Sequence, residues 1–310
     1  SRLAVNRGMD VTLLNRGKRG VNVDGARSLV ADIKDPASVK DTLGDDSFDV
    51  VANFINFRLA DIERDLELFA GRTRQYFFIS SASVYQKPLE DYRVTESTPL
   101  RNPYWAYSRN KIACEERLQQ AYRDDAFPMV IVRPSYTYNE TLFPLSIGGG
   151  THPTVVMRLR EGKPVVVHGD GTSLWTNTHA EDFAKGFVGL FGNTRAVGEA
   201  FHITSDEVLN WNQIYRALAE AAGVEPKLVP VTSERLMQID PRFEGGLLGD
   251  KAQSVVMDNT KIKRFVPTYQ ATIPFREGIR RTLEYYAGQP GLMQKDAKAD
   301  ALIEKILAEA

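Results

Sequence analysis

The chain has 310 residues, of which 43% are hydrophobic and 25% are charged, and its formal net charge at pH 7 is −1. This composition is typical of a globular protein with a large core in two lobes, and the near-zero charge disfavours a general nucleic-acid binder. No apolar run approaches the roughly 18 residues of a membrane span, and the single cysteine fits a reducing compartment. We therefore expect a cytoplasmic protein without a membrane partner.

Runs of β-forming residues predict the strands of a parallel sheet in the first half of the chain. An amphipathic helix is predicted over 61–70, where Ile62, Leu66 and Phe69 form one apolar stripe. Strands that alternate with helices are typical of α/β proteins, in which ligands bind at the carboxyl ends of the strands. The predicted strands are at 10–15, 28–33, 48–56, 74–79 and 127–134.

The stretch after Pro103 predicts a helix with Tyr107 and Lys111 at positions i and i+4, so that both side chains lie on one face. A nearby ammonium favours the phenolate, so we expect Lys111 to lower the pKa of Tyr107 from its usual value of about 10. Small hydroxyl residues, Ser80 to Ser83, follow the strand at 74–79 and would face the same crevice. These features together predict an acid/base site.

The second half of the chain is less regular. A long irregular stretch, 136–153, contains Gly148-Gly149-Gly150 and has the composition of a loop that closes over a ligand. Histidine and cysteine positions show no metal-ligand spacing, so no metal is predicted. The remaining predicted elements are helices at 154–160, from 179, at 210–223 and at 274–286, and strands at 164–168, 200–204 and 226–231.

Four motifs occur in the chain order of one known family, and together they are specific for it. Nearly the whole chain resembles this family, the extended short-chain dehydrogenases/reductases, in the NAD-dependent epimerase/dehydratase group that includes UDP-galactose 4-epimerase. The resemblance implies an α/β fold with a doubly wound parallel Rossmann sheet and a smaller α/β C-terminal substrate lobe. It also implies a homodimer formed through the helix at 61–70 and the helix that carries Tyr107. The motifs are Ser80-Ser81-Ala82-Ser83-Val84-Tyr85, Tyr107-Ser108-Arg109-Asn110-Lys111, Arg133-Pro134 and His168-Gly169-Asp170-Gly171-Thr172.

The same resemblance divides the chain into domains. Residues 1–135 and 177–205 are expected to form the dinucleotide-binding Rossmann domain. The substrate-binding lobe is expected at 136–176 and 206–290, and 291–310 is expected to be a peripheral helical tail.

The resemblance also implies a catalytic group. Tyr107 exchanges a proton with the substrate oxygen, Lys111 binds the nicotinamide ribose and lowers the Tyr107 pKa, and Ser81 hydrogen-bonds the reacting oxygen. The implied substrate contacts are Ser83, Tyr136 and Trp175. The implied cofactor contacts are Asn15, Arg16, Asp32, Ile33, Phe54, Ile55, Asn56, Lys111 and Pro134, although Ile55 and Asn56 are bulkier than the small residues of relatives.

The cofactor implied is NADP or NAD. NAD-using relatives carry an acidic residue after the first strand of this chain, where the sequence has Asn15 followed by the basic turn Arg16 to Gly20. A guanidinium suits a 2′-phosphate, so NADP is slightly favoured and NAD stays an alternative. Relatives place a strand and a Gly-x-x-Gly-x-x-Gly turn before this strand, and we expect the full protein to supply them before Ser1.

The implied reaction is either a 4-epimerase-like exchange or a net oxidoreduction of a sugar or nucleotide-sugar. Relatives that act as 4,6-dehydratases carry Asp-Glu where this chain has Ala82-Ser83, which disfavours elimination of water. Relatives that bind a sugar diphosphate often carry Arg-Asp where this chain has Trp175-Thr176, so we expect specificity from 136–153 and Trp175 instead of an arginine clamp. The alternative is a non-catalytic NAD(P)- or RNA-binding member of the atypical branch that contains chloroplast stem-loop RNA-binding proteins.

Overall fold

The structure, a computed structural model, describes residues 1–18, 22–289 and 291–310, so the Arg19-Gly20 end of the predicted basic turn lies outside the described residues. No described helix has both the length and the apolar character to cross a membrane. The strands are β1 (Val11–Asn15), β2 (Ala26–Val30), β3 (Phe48–Asn53), β4 (Thr73–Ile79), β5 (Arg93–Val94), β6 (Met129–Val132), β7 (Tyr136–Tyr138), β8 (Val165–His168), β9 (Leu174–Trp175), β10 (Asn177–His179), β11 (Ala200–Phe201), β12 (Leu209–Asn210), β13 (Leu228–Val231) and β14 (Val256–Met257). The helices are α1 (Arg2–Asn6), α2 (Pro36–Leu43), α3 (Leu59–Phe69), α4 (Ala106–Asp125), α5 (Thr154–Arg160), α6 (Ala180–Gly189), α7 (Trp211–Ala221), α8 (Ser233–Ile239), α9 (Phe243–Gly246), α10 (Thr260–Phe265), α11 (Phe275–Ala287) and α12 (Ala297–Glu309).

Parallel strands form the central sheet in the order β11-β6-β4-β3. Strand β6 is apolar and buried throughout, and β4 is buried from Gln75 to Phe78, as expected for the inner strands of a parallel sheet that is covered on both faces. β1 and β2 pair in parallel as a separate sheet. Among the described residues, no strand is hydrogen-bonded to both β1 and β3, so the two sheets are not joined. The predicted parallel strands are therefore present, and their hydrogen bonding is divided between two sheets.

Helices cover both faces of the central sheet. On one face, Phe78 of β4 belongs to a core with Ile62 of α3 and Leu118 of α4. On the other face, Phe77 belongs to a core with Phe187 of α6. This three-layer arrangement is that of a doubly wound α/β domain, whose ligand-binding edge is at the carboxyl ends of the strands.

Helix α10 corrects the predicted domain division. It lies within 206–290, the range expected for the substrate lobe, yet Ile262, Val266 and Tyr269 belong to the core on the α6 face of the sheet. Their apolar side chains are buried against the sheet, so we propose that the chain returns to the Rossmann domain around 259–269.

The C-terminal lobe, which is the predicted substrate lobe, has its own core around two paired tryptophans, Trp175 and Trp211. The irregular stretch 136–153 is part of this core, which differs from the predicted closing loop. Its residue Phe143 pairs with Gly150 across an antiparallel bridge, and the Tyr215 hydroxyl donates to the carbonyl oxygen of Ile147 over 2.7 Å. Phe143, Leu145 and Ile147, which lie between β7 and Gly148, are buried in the lobe core and hold the stretch 136–153 in place.

The C-terminal helix α12 is more than the predicted peripheral tail. Ile303 and Ile306 are buried in the lobe core. The buried guanidinium of Arg158 in α5 donates from Nη1 to Asp300 and to Glu304 of α12, each over 2.7 Å. The predicted boundary at 291 therefore separates α12 from the lobe whose core contains its buried side chains.

Candidate active site

Tyr107 lies in the first turn of α4, where the chain enters the helix from Asn102. The side-chain oxygen of Asn102 accepts from the backbone N–H groups of Tyr104, over 3.2 Å, and of Trp105, over 3.1 Å. This turn fixes the start of the helix. The Tyr107 ring lies 4.8 Å from the ring of Trp105 and 5.9 Å from that of Phe57, measured between centroids, so its position is set from two sides.

Ser81 follows β4 and caps a short 3-10 turn by accepting from the backbone N–H of Ser83 over 3.2 Å. Its hydroxyl lies 2.9 Å from the Ser83 hydroxyl, which accepts from Ser108 over 2.7 Å. The Ser81 hydroxyl is also near enough to the Tyr107 phenol to lower its pKa. The structure corrects the prediction for Ser83, because this side chain is buried beneath Ser81 and supports it instead of contacting a substrate.

The pKa of Tyr107 is raised, which differs from the predicted lowering by Lys111. Burial of the phenol is the main cause, the hydrogen bond with Ser81 acts in the opposite direction, and the Asp250 carboxylate raises the pKa further. The Lys111 ammonium lies 5.8 Å from the centroid of the Tyr107 ring. It is held elsewhere by backbone oxygens, so its effect on the phenol is small.

Lys111 is buried at the carboxyl end of β4. Its Nζ donates to the carbonyl oxygen of Asn56 over 2.6 Å and to that of Ile79 over 2.7 Å. The rings of Phe57 and Phe78 lie 4.6 and 4.7 Å away, and burial lowers the pKa of this lysine to about 8. An ammonium has three N–H groups, so one remains for a ligand.

Asn56 contributes its backbone and not its side chain to the crevice. The side-chain Nδ2 donates to Asp65 over 2.8 Å and to the Tyr76 hydroxyl over 3.2 Å, and Oδ1 accepts from Arg64 over 2.7 Å. These partners are beneath the sheet edge. The cofactor contact of Asn56 stays a prediction and would be made by its backbone, because a buried polar network already uses the hydrogen-bonding groups of its side chain.

The other predicted cofactor residues lie at the same edge of the two sheets. Asn15 ends β1 and Arg16 follows it, and the Asn15 side chain accepts from the backbone N–H of Gly17 over 2.7 Å. Asp32 and Ile33 follow β2, where Asp32 accepts from the backbone N–H of Lys34 over 3.1 Å. Arg16 is exposed.

Two apolar side chains are exposed at the end of β3. Phe54 is 54% and Ile55 is 55% exposed, a high value for residues at the edge of a buried sheet. After β6, the Pro134 carbonyl oxygen accepts from the backbone N–H of Ala82 over 2.9 Å, which connects this strand end to the Ser81 turn. The residues predicted to contact the cofactor at the ends of β3, β4 and β6 thus lie at one edge of the sheet.

Tyr136 and Trp175 flank a lysine that the sequence analysis missed. The Nζ of Lys251 lies 5.3 Å from the centroid of the Tyr136 ring and 5.7 Å from that of Trp175. Trp175 is only 3% exposed and packs on Trp211, so its predicted substrate contact is corrected to a supporting role in the lobe core. Burial raises the pKa of Tyr136, and Lys251 opposes this shift.

Sequence reasoning also missed Asp250, which precedes Lys251 in a π-helical turn at Leu247–Lys251. Its carboxylate is near enough to Tyr107 to raise the pKa of that phenol, after the effects of burial and of Ser81. The segment carries no motif, and its glycines indicated only a turn. The one available signal was an acid beside a base in a glycine-rich stretch.

A separate group of residues has the spacing of a cation site. Ligand atoms of Glu140, His179 and Glu181 all lie within 4.8 Å of one another. The His179 Nδ1 accepts from the backbone N–H of Glu181 over 3.3 Å, whereas its buried Nε2 lies 3.4 Å from Glu140 and makes no hydrogen bond with the described residues. The sequence analysis expected no metal, and that expectation stays a prediction.

The fold and this crevice define a doubly wound α/β protein with a Ser-Tyr-Lys group at the sheet edge. A sequence profile of the NAD dependent epimerase/dehydratase family matches residues 1–204. The chain belongs to this family.

Relatives of known sequence cover most of the chain. It is 28% identical over 244 residues to the chloroplast stem-loop binding protein of 41 kDa b of Arabidopsis thaliana, in an alignment that covers 74% of this chain and 61% of that protein. It is 22% identical over 222 residues to a trifunctional UDP-glucose 4,6-dehydratase/UDP-4-keto-6-deoxy-D-glucose 3,5-epimerase/UDP-4-keto-L-rhamnose-reductase of the same plant, covering 71% and 30%. The chain thus spans less than two thirds of the length of these relatives.

A solved structure is similar over nearly the whole chain. The Thermus thermophilus UDP-glucose 4-epimerase, determined in complex with NAD, superposes with a TM-score of 0.70 at 20% identity and covers 92% of this chain and 93% of that chain. The predicted α/β fold, a Rossmann sheet with a C-terminal lobe, is confirmed.

Proposed function

We propose that the protein is an NAD(P)-dependent epimerase or oxidoreductase that acts on a sugar or nucleotide-sugar by hydride transfer. The observation that carries this proposal is the arrangement of Ser81, Tyr107 and Lys111 at the carboxyl edge of the sheet. The Ser81 hydroxyl is near enough to the phenol to lower its pKa, and the ammonium lies one helical turn further along α4. A proton donor and a hydroxyl that orients the reacting oxygen are the groups that hydride transfer to a carbonyl requires.

The residues at the edge are suitable for a dinucleotide. The remaining N–H of Lys111 suits a ribose hydroxyl, and the exposed Phe54 and Ile55 suit the apolar faces of the rings. When bound, the nicotinamide accepts a hydride from the substrate carbon or returns one to it. The similar Thermus epimerase holds NAD, whereas the charge of the exposed Arg16 favours NADP, so the proposal includes both.

The residues of the chain move and hold the proton. Because burial raises the pKa of Tyr107, this phenol is protonated at neutral pH and is ready to donate to the oxygen of a ketone. In the oxidative direction, it must first lose that proton in order to accept the one from the substrate hydroxyl. Ser81 holds the same oxygen, and the hydrogen bonds from Ser81 through Ser83 to Ser108 fix its orientation.

The proposal extends to a cytoplasmic homodimer. α3 and α4 pack side by side, where the Arg117 guanidinium contacts Glu63 over 2.7 Å, and their outer faces are the predicted dimer surface. Sedimentation of the purified protein measures its oligomeric state, and a single monomeric species would contradict the homodimer.

A non-catalytic function is the second candidate, and the similarity to the chloroplast stem-loop binding protein favours it. The net charge of −1 weighs against RNA, because sequence-independent binding of a polyanion depends on basic side chains. A gel-shift titration with stem-loop RNA at 50 and 200 mM salt tests this function.

The main experiment is mass spectrometry of the denatured purified protein together with an activity assay. Released NAD supports an epimerase, which oxidises and reduces the substrate within one cycle. An empty protein that consumes NADH or NADPH with keto-sugars supports a reductase. RNA binding without any dinucleotide binding or turnover would contradict the proposal and support the second candidate.

A further inference from the structure

The π-helical turn at Leu247–Lys251 is held against the start of α4. Gly245 and Gly249 lie so close to Trp105 that a Cβ on either would come within 2.2 and 2.9 Å of its side chain. In addition, the Asn102 side chain donates to the carbonyl oxygen of Gly249 over 2.7 Å. A substrate-lobe segment is therefore fixed relative to the helix that carries Tyr107.

This turn brings a carboxylate and an ammonium to the crevice. The Nζ of Lys251 donates to Oδ2 of Asp250 over 2.9 Å, and the two side chains are 15% and 12% exposed. The rings of Tyr136 and Trp175 flank the ammonium at 5.3 and 5.7 Å. The pair is thus held in place and remains partly accessible beside the phenol.

Both members of the pair keep unused hydrogen-bonding groups. Asp250 accepts the Lys251 ammonium on Oδ2, and its Oδ1 accepts no hydrogen bond from the described residues. The Lys251 ammonium has three N–H groups and uses one on Asp250. Together they offer an acceptor next to donors, which matches two adjacent hydroxyls of a polyol.

We propose that Asp250 and Lys251 are the residues that recognise the substrate, by binding neighbouring hydroxyl groups of a neutral sugar ring beside Tyr107. The inference deepens the proposed function and rests on it for the reaction that the sugar undergoes. The Tyr136 ring provides an apolar surface for the C–H face of the sugar.

Charge favours a hydroxylated ring over an anionic substituent. The Asp250 carboxylate already neutralises the Lys251 ammonium and would repel a substrate anion. The other nearby cation, Lys87, is 1% exposed and directs its Nζ at the backbone oxygen of Asp250 over 3.4 Å, so it does not reach the crevice.

The test is calorimetric titration with a panel of probes whose sugar ring is uncharged, called neutral probes here: UDP- and dTDP-hexoses, free hexoses, and the analogues of the best binder that lack one ring hydroxyl. UDP-glucuronate is the anionic probe. We expect Asp250→Asn and Lys251→Gln each to weaken the best neutral probe at least about tenfold, because a hydrogen bond to a charged group is lost. Both variants should also lose the preference for the parent sugar over one deoxy analogue.

Matched controls are Asp206→Asn and Lys263→Gln, which make the same changes at an exposed ion pair. Thermal melting confirms that each variant folds. The inference would be overturned if both Asp250→Asn and Lys251→Gln kept the wild-type affinity, or if the wild type bound no neutral probe. It would also be overturned if the wild type bound UDP-glucuronate more tightly than the neutral probes and this binding depended on Lys251. If the hydroxyl preference is found in a protein without turnover, the proposed function fails and the recognition pair stands.

Discussion

The side-chain amide of Asn102 donates to the carbonyl oxygen of Gly249 over 2.7 Å. The same Nδ2 donates to the carbonyl oxygen of Ser83 over 2.7 Å, while Oδ1 accepts from the backbone of Tyr104 and Trp105. One buried side chain thus connects the turn after β4, the start of α4 and the π-helical turn of the substrate lobe.

Asn102→Asp tests this connection. The variant keeps the acceptor for the two N–H groups but puts a carboxylate oxygen against two carbonyl oxygens, so we expect a loss of unfolding free energy of about 2–4 kcal/mol. We also expect KM to rise, because the turn that carries Asp250 loses its anchor. Urea denaturation and steady-state kinetics measure the two effects. Asn212→Asp, at an exposed hydrogen bond, is the control, and equal effects of both changes would contradict the prediction.

Tyr107→Phe removes the transferable proton and little else. We expect turnover to fall by at least about 100-fold, the range that a positioned acid/base contributes, while the dissociation constant for the dinucleotide stays nearly the same. Tyr104→Phe is the matched control in the same turn. Retained turnover, or weakened dinucleotide binding at wild-type activity, would show that the phenol has another role.

Lys111 gives a pH signature of stability. Its pKa is lowered by burial from 10.5 to about 8 in the folded protein. Below about pH 8 the Lys111 ammonium is charged in the folded and in the unfolded protein. Between about pH 8 and pH 10.5 the unfolded chain binds more protons than the folded one, so the free energy of unfolding rises with pH. Relative to Lys111→Met, the wild type should gain roughly 2 kcal/mol between about pH 7.5 and pH 10. Denaturation curves at both pH values measure this gain. The exposed control Lys163→Met should follow the wild type, and parallel pH slopes of the wild type and Lys111→Met would contradict the assignment.

Arg16→Glu tests the choice of dinucleotide. A carboxylate accepts from ribose hydroxyls and repels a 2′-phosphate, so the preference should shift from NADP towards NAD by about 1.5–3 kcal/mol, the value of one charge-assisted contact. Binding titrations with both dinucleotides measure the ratio. Lys18→Glu makes the same charge change two residues further on. If it produces an equal shift, general charge and not Arg16 is responsible.

Local patterns predicted the parts of the site that lie in one strand end or one helix turn. Spacing predicted that Tyr107 and Lys111 share a helix face and that Ser81 follows a strand, and the family resemblance implied that the three residues act together. The pKa of Tyr107 depends on burial and on Asp250, which belongs to a distant segment. Such effects arise from tertiary packing and have no signal in the spacing.

Residues whose environment is set by tertiary contacts were predicted less well. Trp175 was expected at the substrate because an aromatic residue replaces an arginine of relatives, but its partner Trp211 draws it into the lobe core. Asn56 was expected at the cofactor, and the buried Asp65 of α3 takes its side chain instead. The predicted stripe of α3 contained only apolar residues and gave no reason to expect a carboxylate on the buried face.

The polypeptide passes between the sheet domain and the lobe several times. After β4 it forms β5, which pairs with β14 far along the chain, then returns for α4, and it returns again at α10. A rigid-body hinge would have to bend all of these connections together. A protease cut in one connecting segment therefore leaves the two halves of the molecule joined through the other connections.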